Sequence, residues 1–208
     1  MFKRLLLAVL SLMTAVAGAV ASASAAGAVT TNCTGQLSGV TVDAVNVPSG
    51  ARCTLLNSVV NGDVTVQAGS AFLASNTQIA GQLSAYRATV QLSRTTVGGS
   101  VSHVQPVDFP ISENNFLTKA VLCGSTVNGD YSVQGAPSFG RIFLGGSSCG
   151  TAGNNTVRGS LVDSNNQATS NEVAGNSIGG YLVCQGNSPA PTGGGNTAPV
   201  KIGQCAGL

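Results

Sequence analysis

Val60-Asn61-Gly62-Asp63-Val64-Thr65-Val66 is the stretch on which the fold turns, because the chain returns to its pattern again and again. Written as [VI]-x-G-x-[VLY]-x-x, it recurs at Ile79-Ala80-Gly81-Gln82-Leu83-Ser84-Ala85 and Val97-Gly98-Gly99-Ser100-Val101-Ser102-His103. Three more copies follow: Val127-Asn128-Gly129-Asp130-Tyr131-Ser132-Val133, Val157-Arg158-Gly159-Ser160-Leu161-Val162-Asp163 and Ile178-Gly179-Gly180-Tyr181-Leu182-Val183-Cys184. The central glycines stand 19, 18, 30, 30 and 21 residues apart. Leu37-Ser38-Gly39-Val40-Thr41-Val42 reads as a weaker copy upstream, and Gly195 to Val200 as a half-copy downstream. A fixed period near 20 residues marks a stacked repeat architecture.

Apolar runs of three or four residues, alternating with period two and separated by glycine or asparagine, are strands joined by sharp corners. The glycines are expected to supply the positive φ that such corners need. A strand this short buries too little alone; stacked on its equivalent one repeat later it pairs in parallel at about 4.8 Å. One column then runs Val60, Ile79, Val97, Val127, Val157, Ile178, and a second Val64, Leu83, Val101, Tyr131, Leu161, Leu182. Both should face inward. The column between them, Thr65, Ser84, Ser102, Ser132, Val162, Val183, should face out. Asn76, Asn155, Asn176 and Asn196 are placed to stack their amides at a turn. The expected fold is all-β, a single-stranded parallel β-helix of about eight short coils, roughly 35–40 Å long. Two lateral loop insertions, around Gln105–Pro110 and Gly145–Gly150, fill the 30-residue gaps. An antiparallel β-sandwich is the alternative, since closely spaced turns suit it too.

The chain begins Met1-Phe2-Lys3-Arg4, continues through an apolar run to Val20, and offers A-x-A sites at Ala21-Ser22-Ala23 and Ala23-Ser24-Ala25. That is the layout of a secretory signal peptide over 1–25, leaving 26–208 as one exported domain with no membrane span. Of 208 residues only 8% are charged, and removing Lys3 and Arg4 leaves seven basic and seven acidic side chains. So neutral a body excludes a nucleic-acid footprint. Six cysteines, Cys33, Cys53, Cys123, Cys149, Cys184 and Cys205, allow 15 pairings; neighbour pairing gives similar gaps of 20, 26 and 21 residues and is the expected set. With one histidine and no C-x-x-C, no metal or other cofactor is expected.

The phrases Gly153-Asn154-Asn155-Thr156-Val157-Arg158-Gly159, Gly175-Asn176-Ser177-Ile178-Gly179-Gly180 and Gly203-Gln204-Cys205-Ala206-Gly207-Leu208 resemble those of a group of exported actinobacterial proteins with G-N-x-[VI]-x-G repeats and no assigned activity. More distantly the repeats are similar to those of bactofilins, β-helical proteins that polymerise end to end. The chain departs from these in its export signal and its cysteines.

Little catalytic material is present. Gly146-Ser147-Ser148-Cys149-Gly150 satisfies G-x-S-x-G, yet a turn sequence follows where a nucleophile elbow needs a helix, and the only histidine lies upstream. His103, with Asp108 and Glu113 nearest in sequence, forms the weak alternative site of a polysaccharide lyase or hydrolase at the inserted loops. Asp63 and Asp130 share a repeat position but should lie about 14 Å apart, too far to act as a pair. The leading expectation is a secreted or surface-associated structural or interaction protein with no catalytic site. Its partners would be cell-wall polymer or copies of itself, and disulfides at both ends favour a monomer.

Overall fold

Val64-Thr65-Val66 forms a strand whose two valines are sealed inside while the threonine is exposed. The chain then turns into a five-residue strand, Ala71–Ser75, and next a two-residue one, Gln78–Ile79. It arrives at Leu83–Tyr86 one level on. In the computed structural model, which describes residues 29–109, 118–137 and 140–208, these levels stack as a parallel β-helix. Sheet A has nine strands, from Thr30–Asn32 to Val200–Gly203. Sheet B has eight, from Gln36–Ser38 to Thr192–Gly194, and sheet C seven, from Thr41–Val42 to Asn176–Ile178. Each strand pairs in parallel with its equivalent one coil away, which rules out the sandwich. The 1–25 segment and Glu113 lie outside the described residues.

The expected columns form in register. Sheet C joins Val60, Ile79, Val97, Val127, Val157 and Ile178; sheet A joins Val64, Leu83, Val101, Tyr131, Leu161 and Leu182. All are buried. Sheet B adds a wall that the motif does not contain, with Phe72, Val90, Ala120 and Ile142 in one inward column and Ala74, Leu92, Leu122 and Leu144 in the next. Burying each larger aliphatic or phenyl group contributes about 1.5–3 kcal/mol, enough for a core only one side chain deep from each face.

Three expectations about the corners change. The motif glycines are not left-handed; they are required by close approach between coils. A Cβ on Gly81 would lie 2.6 Å from the Gly62 carbonyl carbon, and one on Gly159 would lie 2.8 Å from that of Gly129. Positive φ occurs at the neighbouring corners instead, at Gly69 and Gly135, for example, and also at Asn57, Asn76, Arg87 and Arg94. Secondly, the upstream copy is out of phase. Leu37 pairs with Leu55 in sheet B and Val42 with Val60 in sheet C, so Gly39 is a left-handed corner and not a motif glycine. Thirdly, Asn76 is not in the amide ladder: it is exposed and donates to Asn57. The buried ladder is Asn155 to Asn176 to Asn196, at 2.9 and 2.8 Å. Ser58, Thr77, Thr95 and Ser125 occupy the same position in earlier coils, each hydroxyl donating to the carbonyl two residues before it.

The disulfides are Cys33–Cys53, Cys123–Cys149 and Cys184–Cys205, as neighbour pairing requires, and no described cysteine is free. Three disulfides point to an oxidising compartment. At the C-terminal end Cys205 is sealed, Leu208 packs against the core, and Lys201 Nζ donates to the Leu208 carbonyl at 2.6 Å.

Candidate functional site

His103 lies on the sheet A strand Val101–Val104, where alternation turns its side chain inward, fully buried. Nε2 donates to the Ala88 carbonyl at 2.9 Å, and Nδ1 has no hydrogen-bond partner. Burial pushes the imidazole down to about 4, only partly opposed by the Ala88 bond, so the ring is neutral at pH 7. Asp108 makes no hydrogen bond to it. Its Oδ1 is buried without a hydrogen-bond partner, beside Lys119 and tight against Gly140. Burial raises the Asp108 carboxyl and lowers the Lys119 amine, and their mutual attraction opposes both shifts. Lys119, which the sequence reading passed over, is buried at a bulge between Thr118 and Ala120, against Gly140, and donates to the Pro137 carbonyl at 2.5 Å. A sealed imidazole with one ring nitrogen on a main-chain carbonyl has no access to a substrate proton.

Asp63, Asp130 and Glu172 act as corner and loop anchors. Asp63 Oδ1 accepts from the Gln82 amide at 2.8 Å and Asp130 Oδ1 from that of Ser160 at 2.7 Å, each bridging to the following coil. Glu172 accepts from the Ser147 amide and hydroxyl at 3.0 and 3.2 Å and from the Ser148 amide at 3.4 Å. It thereby anchors the 3-10 turn Ser147–Ala152 of the second insertion, which Cys149 also ties down. The strand Asn155–Val157 follows instead of a helix, so G-x-S-x-G here is a loop anchor and no nucleophile elbow. Among the described residues, no three His, Cys, Asp or Glu side chains converge as metal ligands.

One polar centre was not singled out beforehand. Asp163, also in sheet A and fully buried, accepts from the side-chain amides of Asn166 (2.6 Å), Asn171 (2.8 Å) and Asn187 (3.1 Å). Burial pushes its carboxyl up to about 6, while the Asn171 and Asn166 bonds pull the other way. Tyr131, one coil earlier, is raised by burial and by the Asp163 charge; its hydroxyl and Asn171 Oδ1 are both buried without a partner. The sequence signal was Asp163 itself, the one acid in the inward column of Val66, Ala85, His103 and Val133.

Two of the open grooves lie across the outer faces of sheets A and B. One of about 260 Å³ runs over sheet A, floored by Thr65, Ser84 and Ser102 and walled by Tyr86 and Val104. Tyr86 is 53% exposed and stands beside a row of hydroxyls. The other, about 300 Å³, crosses sheet B between Leu73, Gln91, Val121 and the Cys123–Cys149 bridge. Neither is lined by a charged group. No protein-family model, curated protein or solved structure matches the chain.

Proposed function

We propose that this is an exported, non-catalytic protein of the cell envelope or extracellular space, which uses an outer face of its β-helix to contact uncharged envelope polymer. The observation that carries the reading is the contrast between inside and outside. His103 and Asp163 are sealed in the core and Lys119 is buried against Asp108, while sheet A presents Thr65, Ser84 and Ser102 beside Tyr86. Hydroxyls with an adjacent aromatic face suit broad contact with sugar hydroxyls and C–H surfaces. The three disulfides and the basic-apolar start of the chain support export. Its monomeric state is part of the proposal, supported by Leu208 and the Cys184–Cys205 bridge at the C-terminal end. No observation favours the lyase or hydrolase reading. Adsorption to insoluble cell-wall polysaccharide tests the proposal: wild type should be retained and Ser84→Glu released. Wild type that stays in solution with every polymer tried would refute it.

A further inference from the structure

A carboxylate buried among amides, with no cation against it among the described residues, is an uncommon thing to leave inside a core. Around Asp163 the inward-facing ionisable groups are few. From the strand before comes the Tyr131 phenol, and from the strand after comes Cys184, locked in its disulfide. His103 stands two coils back with Val133 between, and Glu172 of sheet B is held by Ser147 and Ser148 on the second insertion. The nearest ligands are amides. Asn171 donates its Nδ2 to Asp163 Oδ2 and keeps its own Oδ1 buried and idle. Asn187 donates to both the main-chain carbonyl and Oδ2 of Asp163, at 2.8 and 3.1 Å.

Asn187 is in turn the link to the end of the rod. Its main-chain nitrogen donates to Gln204 Oε1 at 2.9 Å, and Gln204 Nε2 donates back to the Asn187 main-chain carbonyl at 2.8 Å. Gln204 precedes Cys205, bonded to Cys184, which pairs directly with Asp163 across the sheet. One continuous chain of contacts therefore runs from a buried carboxylate to the C-terminal closure.

We infer that Asp163 is a proton-controlled latch on the C-terminal coil, closed when its carboxyl is protonated and loosened when it is ionised. With a proton on Oδ2, the Asn171 amide turns over and accepts it through the oxygen that is otherwise idle. The pocket around Asp163 then holds no charge. When the proton leaves, the carboxylate gains by hydration, and water reaches it when the segment 187–208, tied to it through Asn187, lifts.

Hydrogen exchange on the intact, oxidised protein tests this. Corrected for the intrinsic pH dependence of exchange, protection across 187–208 should rise about tenfold from pH 8 to pH 5. Asp163→Asn should hold the protected level at both pH values, and His103→Gln should leave the wild-type dependence intact. Flat protection in wild type, or an unchanged dependence in Asp163→Asn, would overturn the latch. Should Asp163→Asn fail to fold, carbon-13 titration of the wild-type Asp163 carboxyl decides. A midpoint shared with the change in protection supports the latch, and separate midpoints refute it.

Discussion

His103 and Asp163 occupy one inward column of sheet A, two coils apart, with only Val133 between them. Burial moves the two groups in opposite senses for stability. The folded His103 resists a proton that the unfolded chain accepts, so stability is lost as pH falls from 6.5 towards about 4. Folded Asp163 takes its proton earlier than the unfolded chain, so stability is gained as pH falls from about 6 towards 3.8. The windows overlap and the two terms nearly cancel.

Urea unfolding should therefore show wild-type stability almost level between pH 7 and pH 4. In His103→Gln it should rise by roughly 2 kcal/mol on acidification, and in Asp163→Asn it should fall by roughly 3 kcal/mol. Parallel profiles in all three proteins would show that neither group titrates as its burial demands.

Close approach at the motif glycines gives a second expectation. Gly159→Ala sets a methyl 2.8 Å from the Gly129 carbonyl carbon and oxygen and should cost roughly 2 kcal/mol or more. Gly207→Ala, with nothing within 4 Å, should be close to neutral. Thermal melts of the two variants measure the difference.

Asn176 bridges three coils, receiving the Asn155 amide and donating to the Leu144 carbonyl and to Asn196 Oδ1. Asn176→Leu leaves buried polar groups unmet and should cost roughly 3 kcal/mol by chemical denaturation. Asn176→Ser should cost less, because Ser58 and Ser125 show that a hydroxyl serves this corner.

Much of this fold was legible because stacking makes the same demand at every level. Val60, Ile79 and Val97 had to match since each lies on the one before, and the period aligned them without coordinates. The cysteine pairs followed from similar loop lengths. What stayed hidden was what depends on the third dimension between corners. Gly62 and Gly69 look alike in sequence, yet one faces a neighbouring coil and the other adopts positive φ. Ser125 and Asn155 look unlike, yet they fill one buried position. His103 read as a candidate base because sequence shows its chemistry and not its enclosure. Lys119 escaped notice because its burial depends on a bulge in the strand and on the loop that packs over it.

The central claim is that the buried ionisable groups serve the fold and the sheet A face serves the partner. The most direct test incubates wild type, His103→Ala and Tyr86→Ala with insoluble cell-wall polysaccharide, measuring adsorbed protein and released reducing ends together. Wild type and folded His103→Ala should adsorb alike, Tyr86→Ala should adsorb at least several-fold less, and no protein should release sugar. Reducing ends released by wild type and lost in His103→Ala would contradict the account.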